Sequence, residues 1–260
     1  MYEVMLNDTM NTIAYFFGLT YDELQAANPE ADPYALIVGQ TLIIPATSED
    51  EEQVDSLPTP ATLTLSEVRC IPDAADGLWC LLTARAPEDQ GRENIAVEIT
   101  LNGAGSNEAV QAIAFAPLNS LAAGECMPLA VYIDAAALNE APFSPPYQAH
   151  AELIQALPLN NTEGRYLDLI IVHPVILISD DGRQAEVEVD LTQSESSTQT
   201  ASRVWVLAAA YDQQDQLIGL RRWEAKEPIA PDGTITASLR VFSIDGTPID
   251  HVELLFEARP

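Results

Sequence analysis

Three cysteines, three histidines and forty acidic residues are the groups in this 260-residue chain that could carry covalent, acid–base or metal chemistry. A cysteine nucleophile needs a histidine to activate it. Cys70 and Cys80 have a structural setting, and Cys126 lies in a strand-like stretch far in sequence from His150. His173, within Ile171-Val172-His173-Pro174, reads as a satisfied strand histidine. Zinc needs ligands clustered at short spacing, whereas here the cysteines and histidines are scattered and no Cys-x-x-Cys occurs. A glycosidase needs two carboxylates facing across a cleft, but forty acidic residues supply pairs by abundance alone. Gly-x-Ser-x-Gly, His-Glu-x-x-His and Gly-rich phosphate loops do not occur. The expectation is therefore a protein without catalytic residues, metal or cofactor.

The cysteines point instead to a staple. Cys70 and Cys80 flank the turn-rich Ile71-Pro72-Asp73-Ala74-Ala75-Asp76-Gly77, between apolar flanks at Leu63–Val68 and Leu78–Leu82. Two antiparallel neighbours joined by such a turn bring their Cα atoms within disulfide range. A Cys70–Cys80 bridge is expected, with Cys126 left as a buried thiol. A Cys80–Cys126 bridge is the alternative. A persistent bridge implies an oxidising compartment.

The most ordered pattern lies at the N-terminus. Tyr2 to Leu6 alternates like a short strand. Asp8 or Thr9 can cap a helix over Met10–Phe17, which places Met10, Ile13, Ala14 and Phe17 on one face. Gly18 suits a left-handed cap, and Thr20 with Glu23 forms a capping box for a second helix over Tyr21–Ala27, anchored by Leu24. Asn28-Pro29 ends that helix, and Gly39 to Pro45 is a turn and a closing strand. The order is strand, helix, helix, strand.

These residues resemble the LysM (lysin motif) domain almost end to end. The shared positions are Tyr2-x-Val4, Asn7-Asp8-Thr9-Met10, Ile13-Ala14, Gly18, Leu24, Asn28 and Leu36-x-x-Gly39-Gln40-x-Leu42-x-Ile44-Pro45. Asn7 stands where the family has Gly, and Met10 where it has Leu. The resemblance implies binding of an N-acetylglucosamine polymer, peptidoglycan or chitin-like glycan. The implied groove lies between the first strand-to-helix loop (Asn7, Asp8, Thr9, Met10) and the loop after the second helix (Asn28 to Ile37, with Asn28, Pro29, Pro33, Ala35, Leu36 and Ile37). Backbone groups there can bond the N-acetyl and hydroxyl groups, while Met10, Pro33 and Leu36 cover the acetyl methyl and the sugar face. Asp8 and Thr9 can equally be helix caps only. One such shallow site binds with about millimolar to micromolar affinity.

The net charge is −29, with Lys226 the only lysine. Such a charge repels phosphate backbones and anionic membranes, so no nucleic-acid partner is expected. No run approaches the roughly 18–20 apolar residues of a membrane span. No signal peptide is visible, and an extracytoplasmic location, at the cell surface or wall, is expected with the export segment absent from this chain.

Residues 46–62 are acidic, rich in Ser, Thr and Pro, and nearly free of large apolar side chains, so they read as a flexible linker. Beyond it, 63–159 and 165–260 are strand-rich, with period-two alternation in Ala96–Leu101, Ala185–Leu191 and Thr236–Phe242 and turns at Asn102-Gly103, Asp181-Gly182, Asp232-Gly233 and Asp245-Gly246. The two segments repeat one order: strand, polar turn, strand, a Gly-containing loop at Gly124 or Gly233, strand. Val206-Leu207-Ala208-Ala209-Ala210-Tyr211-Asp212, Gln216-Leu217-Ile218-Gly219 and Ile229-Ala230-Pro231-Asp232-Gly233 resemble bacterial immunoglobulin-like domains of the FxLYD type. Trp79, Trp205, Trp223, Tyr132 and Tyr211 could form sugar platforms, but strand aromatics more often fill a core, and that is the expectation for most of them.

The expected fold is multidomain: a small α+β (βααβ) LysM domain at 1–45, an acidic linker at 46–62, and two all-β immunoglobulin-like sandwiches at 63–159 and 165–260. The expected function is non-catalytic binding of cell-wall glycan with display of the two sandwiches. The alternative is an extracytoplasmic adaptor whose sandwiches bind a protein partner while the LysM domain only localises it.

Overall fold

The computed structural model describes residues 1–260 except 5–9, 11–12, 15–16, 18, 20, 32–35, 38, 46–61, 104–108, 140–146, 161, 163 and 195–197. The expected linker and the Gly18 and Thr20 caps thus lie outside the described residues, apart from Thr62. The chain divides into two compact units, Met1–Thr59 and Pro60–Pro260. Among the described residues no helix is long and apolar enough to cross a membrane.

In the first unit, β1 (Tyr2–Glu3) pairs antiparallel with β2 (Thr41–Leu42), and α1 spans Tyr21–Ala27. Its core is Val4, Met10, Ile13, Ala14, Leu24, Ala31 and Leu42. Leu24 supplies the inward position of α1 and Leu42 that of β2. Tyr2 and Phe17 meet edge to face at 5.3 Å.

The second unit is almost entirely β. In chain order it contains β3 (Thr64–Leu65), β4 (Arg69–Pro72), β5 (Leu78–Arg85), β6 (Arg92–Asn102), β7 (Ala109–Phe115), β8 (Ser120–Leu121) and β9 (Cys126–Ile133). A short α2 (Ala135–Asn139) precedes β10 (Gln148–Pro158). Then come β11 (Leu169–Ile178), β12 (Gln184–Gln193), β13 (Arg203–Tyr211), β14 (Leu217–Glu224), β15 (Thr234–Phe242) and β16 (His251–Arg259). All named pairings are antiparallel.

Four sheets result. β4-β5-β9 faces β7-β6-β10, and β11-β12-β15 faces β14-β13-β16, so both halves follow one strand plan. Between the first two sheets lie Leu78, Cys80, Leu82, Ile95, Val97, Ile99, Leu101, Met127 and Leu129. Between the second two lie Val187, Val189, Leu191, Val204, Val206, Ala208, Ala210, Ala237 and Val241. β14 passes so close to β15 that a Cβ on Gly219 would sit 2.0 Å from the Phe242 carbonyl oxygen, so only glycine fits there.

The halves are not beads on a string. β13 turns Val204, Val206, Ala208 and Ala210 into its own core, and its other face also is covered. Trp205 and Leu207 join the first core, while Ala209 and Tyr211 pack with Ile71, Leu81 and Leu217. Polar bonds reinforce this contact. The Glu257 carboxylate, 4% exposed, accepts from the Asn119 and Ser120 amides at 2.7 and 2.8 Å and pairs with Arg259 at 2.6 Å. Arg165 pairs with Glu93, and the Tyr166 hydroxyl bonds both Asn119 and Glu93. Burial, then the Glu93 and Glu257 charges, push the Tyr166 phenol well above its ordinary pKa, so it stays neutral and keeps its proton to donate. Arg69 pairs with Asp245, and Arg222 donates to the Pro117 carbonyl at 3.0 Å.

Candidate functional site

The turn around Gly39, which leads into β2, is bonded to the chain after β1. Val4 donates to the Gln40 carbonyl and Gly39 to the Val4 carbonyl, both at 2.8 Å. Gly39 has φ 87°, a conformation glycine adopts at no steric cost. Gln40 closes the turn twice: its amide donates to the Ile37 carbonyl at 2.8 Å, and its side-chain oxygen accepts from the Ile37 amide at 3.1 Å. The Leu36-x-x-Gly39-Gln40 spacing therefore fixes the loop against β1. It leaves the Ile37 side chain 71% exposed at the tip.

Two of the expected contact residues are placed differently. Met10 is 1% exposed and belongs to the core with Ile13 and Leu24, so it offers no side-chain surface to cover a sugar. Asn28 is 7% exposed and its amide is already committed. Its nitrogen donates to the Leu24 and Ile43 carbonyls at 2.8 Å each, and its oxygen accepts from the Ile43 amide at 2.7 Å. Asn28 ties the end of α1 to the chain leaving β2; it is a brace, not a free sugar ligand. Pro29 is exposed, Leu36 is half-buried against the core, and Asn7, Asp8, Thr9, Pro33 and Ala35 lie outside the described residues.

A further exposed apolar residue lies outside the expected set. Ile43 is 56% exposed, and its main chain is bonded to Asn28, so it lies beside the loop after α1. The signal was the alternation Leu42 in, Ile43 out: a large aliphatic group at an outward position of a closing strand. The described surface around this loop is apolar at Ile37 and Ile43, which suits the methyl and ring faces of an acetylated sugar.

In the second unit a disulfide joins Cys70 and Cys80, which are directly opposed in β4 and β5 with Cα atoms 4.0 Å apart. Cys126 is a half-buried free thiol opposite Arg85. Burial pushes its pKa up, with Arg85 working against the rise. Trp205 and Tyr211 are buried, whereas Tyr132 is 38% exposed and lies 5.1 Å from Trp79. His173 is no regular strand residue: it is exposed, with φ 48°, at a bulge in β11. Among the described residues no three of His, Cys, Asp and Glu come together as metal ligands.

Residues 2–45 match the family model of the LysM domain, and the N-terminal unit is a LysM domain. No curated protein matches the chain. Solved structures similar to the chain include red sea bream transglutaminase, with 11% identity over 77% of this chain and 29% of that one at a TM-score of 0.23. Bacteroides uniformis beta-glucuronidase 2 is similar at 12% identity over 70% of this chain and 24% of that one, TM-score 0.24. A glycosyl hydrolase family 2 member from Bacteroides cellulosilyticus shares 11% over 69% and 28%, TM-score 0.21. The chain spans less than a third of the length of each of these proteins. At such TM-scores the likeness carries no inference about activity.

Proposed function

We propose that this protein is a non-catalytic, extracytoplasmic binding protein whose LysM domain holds it to an N-acetylglucosamine-containing glycan, peptidoglycan or a chitin-like polymer. The sheets of the second unit are then displayed as one rigid body of immunoglobulin-like sandwiches. The observation that carries the reading is the family match over residues 2–45. The loop geometry supports it: a turn pinned by Gly39 and Gln40 presents Ile37, and the Asn28 brace presents Ile43. The Cys70–Cys80 disulfide suits an oxidising compartment.

Sedimentation of the full chain with insoluble peptidoglycan or chitin tests this. Retention on one of the two is expected. Ile37→Asp should weaken retention about tenfold by placing a charge against the sugar face, without changing the fold. Equal retention of a chain lacking residues 1–45 would overturn the assignment of binding to the LysM domain.

A further inference from the structure

β11 has no charged residue among Leu-Ile-Ile-Val-His-Pro-Val-Ile-Leu-Ile. Among the described residues it pairs only with β12, and no described strand borders its other edge. Large apolar side chains protrude along nearly its whole length: Ile170 47%, Ile171 44%, Val175 46%, Ile176 36%, Leu177 62% and Ile178 39% exposed. Soluble proteins ordinarily protect such an edge with charges. β12 beside it does carry them, with Glu186, Glu188 and Asp190 on its outward face.

The register identifies what fits this edge. Val172 lies opposite Asp190 and Val175 opposite Glu188, so His173 and Pro174 together oppose a single residue. That bulge puts Val172 and Val175 on the same face, although three positions separate them. The strand is a near-palindrome about the bulge: Val172 mirrors Val175, Ile171 mirrors Ile176, Ile170 mirrors Leu177 and Leu169 mirrors Ile178. Because of the extra residue, both members of each mirror pair share a face. Ile170, Val172, Val175 and Leu177 point outward with the acidic row of β12, while Leu169, Ile171, Ile176 and Ile178 point toward the core side. A second β11, antiparallel and related by a two-fold axis through the bulge, would set Ile170 opposite Leu177 and Ile171 opposite Ile176, matched in chemistry and in face.

We propose that β11 is a homodimerisation edge, and that two copies of this chain join through it into one continuous sheet of order β15-β12-β11-β11-β12-β15. Charge opposes self-association over most of the surface and opposes it least along β11. The chain carries −29, so two copies repel over most of their surface, and a ten-residue uncharged strip removes that repulsion from the contact. The core-side residues gain as well: Ile171, Ile176 and Ile178 stay partly exposed beside this edge, and a further strand there covers part of that surface. Pro174 removes one amide at the axis, leaving a four-residue arm on each side to form the ladder. On the glycan-binding reading, such a dimer carries two LysM domains, and the second binding event on a polymer becomes intramolecular.

The test is sedimentation velocity of the full chain across roughly micromolar to 0.1 millimolar concentration. A concentration-dependent dimer is expected. The double substitution Ile170→Lys with Leu177→Lys places like charges opposite each other twice and should weaken dimerisation at least ~100-fold. Ile170→Glu with Leu177→Lys places opposite charges there and should retain the dimer. Both positions are exposed, so far-UV circular dichroism and the unfolding midpoint of the monomer should hold. Independently, a chain with both Ile170→Cys and Leu177→Cys should oxidise to a covalent dimer, while either substitution alone should not, since each partner position is then aliphatic. A monomer at every concentration would overturn the proposal. So would a dimer untouched by the double lysine substitution, or double-cysteine cross-linking no better than that of the single variants.

Discussion

β11 and β13 are both apolar strands of the same half of the second unit, and they meet opposite fates. β13 has Val204 and every residue from Val206 to Ala210 at 0% exposure, one face in its own core and the other against the first pair of sheets. β11 is exposed on both faces. Hydrophobicity alone does not distinguish them. What differs is position: the centre of a four-sheet stack against its margin. An apolar strand is thus read correctly only when the surfaces that could cover it have been named, and for β11 the proposed cover is a second copy of itself.

The largest expected effect comes from charging the covered strand. Ala209→Glu buries a carboxylate among the apolar side chains of Ile71, Leu81, Tyr211 and Leu217, and should cost over ~4 kcal/mol or prevent folding. Leu177→Glu should change the urea midpoint of the monomer by less than about 0.5 kcal/mol equivalent. Similar losses in the two variants would break the comparison.

Next is the lock between the halves. Glu257→Ala leaves the Asn119 and Ser120 amides and Arg259 without their acceptor in a buried site, at a cost of about 3–5 kcal/mol. It should also separate the halves into two calorimetric transitions. One cooperative transition at full enthalpy would mean that the apolar face of β13 holds them together unaided.

Removing the Cys70–Cys80 bridge with two serines should lower stability by roughly 2–3 kcal/mol, measured by urea unfolding, given its short loop. No loss would place the constraint elsewhere. The smallest effect concerns acid. Burial works to raise the Asp245 carboxyl, but the Thr247 amide and hydroxyl, Arg69 and Ser243 outweigh it and hold it below the usual carboxylate range. Its stabilising contribution is present above the ordinary value of about 4 and is lost as pH falls through the lowered one. Asp245→Asn should therefore flatten the stability-versus-pH curve slightly below pH ~4; an unchanged slope would show that Asp245 contributes nothing to acid unfolding.

The strand plan was largely legible. Ala96–Leu101, Ala185–Leu191 and Thr236–Phe242 fall within β6, β12 and β15, because period-two alternation with polar turns is a local signal. The apolar flank Leu63–Val68 supplies only a short strand, Thr64–Leu65, and Cys70 belongs to the next one, β4. The repeat was legible too, since both halves use one strand order. Register and stacking were not, because they join residues far apart in sequence. Nothing local marks that β13 is covered twice, that Glu257 meets Asn119 138 positions earlier, or that His173 opens a bulge. In the candidate site, helical spacing placed Met10 on the core face, and that reading prevails over the one that also gave it to the sugar. Asn28 entered the groove through the LysM resemblance; its partner Ile43 lies 15 residues away, beyond local pattern.

The Cys70–Cys80 staple has a mechanical consequence. When the N-terminal side of the second unit is pulled, as by a tether to an immobile polymer, load reaches β3 first. β3 holds β5 by two residue pairs, Thr64 with Arg85 and Leu65 with Ala84, and by the bonds of Ser66 to Thr83, so this short edge peels like the end of a zip. Peeling then reaches β4 and stops at Cys70, where the next rung is covalent and transfers the load to β5. β5 is held along its other edge by all eight residues of its pairing with β9. The bridge is a ripstop: it converts a tear that would proceed one rung at a time into shear borne by a whole strand.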